Sequence, residues 1–291
     1  MSGAFVVVAL VVAVLSSGCS HALTQPMPEL KGALGLRVSQ ETASGWTDMP
    51  IGVHRIPETS VYVSGHQGAA GVGMLFGPIG LAAAHAAAQS TGEKKAGDPA
   101  VLRIDIAAAA DRLLKEELER RRDVVRFAAP GARADATLEI VPFIVLTFIG
   151  EERVRPWVVL KALLKDASGS ETWKTRYISS FGEPRPLAGD NGWTVDGGQP
   201  LRSAIDRSLK TGIDVMLRDA AGELRRGKGK VVKLRGNWVW VKQTMEVSGE
   251  ILEETPERLI VKPEVADAIV FAGISIVEPG VLAVTASDPP K

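Results

Sequence analysis

The chain has 291 residues, 45% of them hydrophobic and 23% charged, with 34 basic and 34 acidic side chains. This mix excludes a disordered tail, a collagen-like repeat and a polytopic membrane protein, and zero formal charge argues against a protein that coats nucleic acid. The single cysteine excludes a disulfide framework and any multi-cysteine zinc site.

Ala4 to Leu15 is an apolar run of twelve residues without a charge. A bilayer-spanning helix needs about 20, whereas the hydrophobic region of an export signal needs about 7–15. Ser16, Ser17 and Gly18 then lead to Cys19, and small residues ending on a lone Cys resemble the lipobox of bacterial lipoproteins. Ser16 stands where that motif usually has Leu, and no Lys or Arg precedes Lys31, so the positive n-region is missing and a start upstream of Met1 stays open. The resemblance implies cleavage of residues 1–18, lipid on the sulfur of Cys19 and acylation of the new amino terminus. Ser20 after the Cys implies, by the same resemblance, an outer-membrane destination facing the periplasm. The other reading of the leader is an ordinary signal peptide, which gives a soluble periplasmic or secreted protein.

Residues 19–44 are polar, contain proline and lack a period, and are expected to form the lipidated tether. Gly52–Ser64 alternates around Val61 and Val63 and predicts one strand or a broken hairpin. Gly68–Ala88 is rich in Gly and Ala, with Ala69, Gly73 and Gly77 four apart. Such spacing lets helices approach closely in a bilayer or an oligomer; the other reading is a tightly packed hairpin or loop of the body. A loop over 89–100 precedes a helix predicted over Leu102–Arg122, with Ile106, Ala109, Ala110, Leu113, Leu114 and Leu118 on one stripe. Asp111 with Lys115, and Glu116 with Arg120, have the i,i+4 spacing of a solvated face.

Three strands are predicted next, over Thr137–Ile149, Trp157–Lys165 and Glu171–Phe181. Pro142 inside the first suggests an edge or a bulge. A Gly/Pro-rich loop leads to a second helix over Leu201–Leu224. Short β segments fill the rest, read as a small sheet or half-barrel. The expected fold is α+β: a helix, three antiparallel strands and a helix form the core, with a smaller all-β module at the C-terminus. Residues 45–226 would be the α/β body and 230–287 the β module.

Arg225, Arg226, Lys228, Lys230, Lys233 and Arg235 fall in one short stretch, followed by Trp238 and Trp240. Basic residues with interfacial Trp suit anionic lipid headgroups; the other reading is a solvated linker beside an edge strand. His21, His54, His66 and His85 have no metal-ligand spacing, and neither a nucleophile elbow nor a phosphate loop occurs. Ser64 and His66 lie too close in sequence to make a triad, and the carboxylate pairs Glu151–Glu152 and Glu253–Glu254 point different ways. No cofactor, metal or catalytic residue is expected.

The run from Leu102 to Phe127, the Ala134-Asp135-Ala136 marker, the strand after Gly169 with Trp173, and the helix from Leu201 to Ala220 resemble the core of auxiliary envelope lipoproteins. That group includes the lipoprotein partners of lipid-handling ABC transporters and uncharacterised outer-membrane lipoproteins. The resemblance covers residues 101–222 and carries over no active site. It implies a non-enzymatic accessory or scaffold role in envelope transport, secretion or assembly, with envelope protein partners and with self-association open. The alternatives are a lipid-handling lipoprotein and, third, an envelope hydrolase without a recognisable motif.

Overall fold

The computed structural model describes residues 23, 25–29, 32–41, 43, 53–64, 97–121, 127–128, 132–150, 152–224, 229–264 and 272–286. The molecule is mainly β over these residues, which overturns the expected helix–three-strand–helix α+β core. Its centre is a long hairpin of β4 (Ala136–Ile149) and β5 (Arg153–Asp166), paired over its whole length and turned at Gly150, whose φ of 70° suits glycine. The run IVPFIVLTFI in β4 is apolar without alternation because the strand is buried on both faces. β6 (Glu171–Ser180) returns beside β5, after a turn in which the Asp166 carboxylate accepts from the amides of Ser168 and Ser170.

Short strands then extend the sheet both ways. β1 (Leu34–Val38) and β3 (Val61–Ser64) run parallel to β4, one on each half of its length, and β2 (His54–Arg55) makes a small hairpin with β3. Part of the stretch expected as tether is therefore a strand. Ser39 N–H donates to the Ile140 carbonyl and Ile144 N–H to the Ser60 carbonyl, so Pro142, of the same parity, faces the gap between β1 and β3. A proline costs no ladder bond there, so Pro142 marks neither an outer strand nor a bulge.

On the other side, β11 (Ile274–Val277) lies parallel to β6, and β10 (Leu259–Pro263), β9 (Thr244–Glu254), β8 (Val231–Asn237) and β12 (Leu282–Ala286) follow in antiparallel order. β7 (Arg185–Pro186) adds two residues to β5. Among the described residues this gives one mixed sheet of twelve strands and three helices. The C-terminal strands are thus joined to the body through the β11–β6 pairing.

Two helices cover one face. A short α1 (Pro99–Leu102) precedes α2 (Ile106–Arg120), which Asp105 caps by accepting from Ala108 N–H at 2.9 Å. Its buried stripe includes Ile106, Ala110, Leu113 and Leu114, as the spacing predicts. Lys115 pairs with Asp111 at 2.6 Å, whereas Glu116 pairs with Arg112 at 2.8 Å and Arg120 reaches Glu117. α3 (Val195–Ala220) is kinked at Asp196–Gly198, whose φ values are all positive, and Pro200 sits just past the kink, where a helix tolerates it. Gly212 brings α3 close to β5: a Cβ there would lie 3.3 Å from Leu160 Cδ1.

The opposite face is covered by the chain itself. Tyr62, Phe143, Val145, Trp157, Val159 and Ile178 form its core with Val232, Leu234 and Val247 from the C-terminal strands. The segment Trp238–Trp240, expected within a strand, instead turns onto this face, with the Trp240 ring 6.2 Å from that of Phe143. Burying two large indoles repays a departure from the sheet.

Candidate functional site

Several predicted site residues lie outside the described residues: Cys19, Ala69, Gly73, Gly77, Arg225, Arg226 and Lys228. Of the rest of the basic stretch, Lys230 precedes β8, while Lys233 and Arg235 stand two apart on one face of it. Lys230 and Arg235 are exposed, and Lys233 is within 3.6 Å of Glu246. Trp238 and Trp240 are 1% and 0% exposed and belong to the core on the sheet face opposite the helices. Among the described residues, the basic side chains therefore do not share an exposed surface with the indoles. Of the histidines, His54 is buried in β2, and the other three lie outside the described residues. The Ser64 hydroxyl shares a hydrogen bond of 2.9 Å with that of Thr147, a pair of hydroxyls and not a nucleophile with its base. Glu253 belongs to an ion-pair network described below, and no group of described His, Cys, Asp and Glu side chains could hold a metal.

What the sequence does not signal is how the amino-terminal segment is held. Leu23 is buried, and its carbonyl accepts from the Thr175 hydroxyl at 2.6 Å. The Gln25 carbonyl accepts from the Trp173 indole at 3.0 Å, and Met27 packs against the helix-side core. Further on, Ala33 N–H donates to the Asp135 carboxylate at 2.9 Å, which seats β1 against the Ala134-Asp135-Ala136 marker. The described residues between Leu23 and Val38 thus form a strap across the end of the sheet, fastened first by two side chains of β6. A cleft of about 430 Å³ lies between this strap and the β4–β5 end, lined by Pro28, Glu29, Asp135, Leu164 and Thr172 among others. Replacing both donors, Trp173→Phe with Thr175→Val, removes two hydrogen bonds and should cost about 1–3 kcal/mol. Hydrogen exchange should show the loss as faster exchange confined to the strap; unchanged protection there would contradict this fastening.

Charge is organised at two places on the body. Glu139 in β4 is fully buried and accepts from Lys165 at 2.8 Å and from Arg37 of β1. Burial alone would raise its pKa, but these cations outweigh it and hold the carboxyl below its ordinary value. At the other place, Asp214 of α3 accepts from Arg121 at the end of α2 and from Arg258 at 2.8 Å. Arg258 and Arg218 then share Glu253 of β9, at 2.8 and 2.6 Å. The network fastens both helices to the β9–β10 hairpin.

Burial pushes the Glu253 pKa up, and the hydrogen bonds from Arg218 and Arg258 bring it below the ordinary carboxylate value. A lowered folded pKa gives stability that is complete above the unfolded value and is lost as pH falls through the folded one. Arg258→Met should cost about 1–3 kcal/mol, between the worth of exposed and of buried pairs. Thermal melts from about pH 5 to about pH 3 should fall less steeply for the variant than for the wild type. Equal slopes would remove Glu253 from the acid response.

A second cleft, of about 350 Å³, opens where β1 and β3 leave the β4 edge unpaired, beside Pro142 and the start of α2. Arg55 and Arg103 there meet Glu41, Glu58 and Asp105, a nearly balanced set that favours neither an anion nor a cation. Among the described residues, no helix is long and apolar enough to cross a membrane. Comparison with protein-family models, with curated proteins and with solved structures finds no match to this chain.

Proposed function

We propose that the protein is a lipid-anchored, non-enzymatic accessory or scaffold of an envelope complex, held through Cys19 at the outer membrane and facing the periplasm. The observation that carries this reading is the strap. Cys19 and Leu23 are four residues apart, and an extended chain covers about 3.5 Å per residue, so Leu23 lies within roughly 14 Å of the anchor. Lipid on Cys19 would hold the body against the membrane surface at its strapped end, suited to a component that works beside a membrane assembly.

The lipid-handling alternative draws less support, because Trp238 and Trp240 are buried in the core and offer no exposed indole to a headgroup layer beside Lys230 and Arg235. The experiment is metabolic labelling with an alkyne fatty acid. Label should enter the wild type and not Cys19→Ser, while a labelled Cys19→Ser or an unlabelled wild type would overturn the anchor.

A further inference from the structure

β12 ends the strand order: it pairs with β8 on one side, and Ala283, Val284, Thr285 and Ala286 are all exposed. An edge strand offers unpaired N–H and C=O groups, and proteins commonly blunt such edges with charge, proline or a bulge. β12 reads LAVTA and has none of these, and its register with β8 is unbroken. We infer that the β12 edge is a strand-addition site for an extended segment of a partner protein in which apolar and acidic residues alternate.

The neighbouring strand sets the chemistry. Ala283 lies opposite Arg235 and Thr285 opposite Lys233, so two short side chains separate these cations from whatever pairs with β12. An added strand would lie about 4.8 Å beyond β12 and about 9.6 Å from β8, a span that an Arg or Lys and a Glu bridge together. Arg235 is exposed and lies opposite Glu246 of β9 in register, but the ion pair to that carboxylate is made by Lys233, at 3.6 Å. On the other face, Val284 is 40% exposed and lies opposite buried Leu234, so alternate residues of the added strand meet an apolar surface. Main-chain bonds would supply affinity and the two alternating faces specificity. A second copy of the chain fits less well, because its own Lys233 and Arg235 would approach the same two cations.

This inference rests on the scaffold reading for a protein partner, yet its test does not depend on lipid. The probe is a fluorescent seven-residue peptide of alternating Glu and Val, with the Lys–Val peptide as comparison, titrated into the full chain in detergent. The Glu–Val peptide should bind and the Lys–Val peptide should not. Arg235→Gln, which removes the charge at an exposed position without setting a second carboxylate opposite Glu246, should leave the melting temperature nearly unaltered and weaken the Glu–Val peptide by about twofold to fivefold. Methylating every backbone nitrogen of the peptide should abolish binding. Equal binding of both peptides, binding that survives methylation, or binding of neither would overturn the inference. So would a dimer that Val284→Lys dissolves and that excludes the peptide, which would give the edge to a second copy. Peptide binding with no fatty-acid label would sink the anchor alone, and label without peptide binding would sink the edge alone.

Discussion

Trp240→Ala is expected to lower the unfolding free energy by about 3–5 kcal/mol, the range for removing a large aromatic from a packed core. The indole is fully buried and its ring lies beside Phe143, so its loss opens a cavity between the central hairpin and the C-terminal strands. Trp240 also has a φ of 78°, a conformation costing about 1–2 kcal/mol in a residue with a side chain, which the packing offsets and alanine cannot. Because β11 joins the C-terminal strands to β6, denaturation followed by far-UV and near-UV signals should remain one coincident transition at lower denaturant. Two separated transitions would mean that the C-terminal strands unfold as their own unit.

Cys19→Ala is expected to move the protein from the membrane pellet to the soluble fraction while its melting temperature stays the same. A single acyl chain binds marginally, whereas two or three, at about 0.8 kcal/mol per buried methylene, hold a protein on a bilayer through fractionation. Among the described residues no helix is long and apolar enough to cross a membrane. Persistence of Cys19→Ala in the pellet after a salt wash would show that something other than the acyl chains holds the body.

Sequence legibility followed the length and locality of each element. The stripe of α2 could be read because a 15-residue helix repeats its apolar positions several times. β4, β5 and β6 were visible for the same reason, as runs of ten or more residues ending at glycine or polar turns. β1 has five residues and pairs in parallel with a strand far away in the chain, so nothing local distinguishes it from the tether; β3 and β11 read as β from their own residues, but their parallel pairing with β4 and β6 has no local signal. Missing β1, and the parallel pairings that join β3 and β11 to the central strands in one sheet, is what made a mainly β fold read as α+β.

Trp238 and Trp240 failed for a related reason. Their spacing reads as one face of a strand, and the sequence does not say that the chain leaves the sheet there to cover Phe143. The strap was hidden because its anchors are backbone carbonyls of Leu23 and Gln25, which carry no residue signature, and donors in β6 that look like ordinary strand residues. The acidic partners of Arg258 were equally invisible, since Asp214 lies in a helix and meets the hairpin only through the fold.

The most direct measurement of the anchored-scaffold account is the mass of the amino-terminal peptide of the mature protein, taken from the membrane fraction. The account predicts a peptide that begins at Cys19 and carries a diacylglycerol on sulfur with a further acyl chain on the amino group. A mature peptide that begins at any other residue, or at an unmodified Cys19, would contradict it.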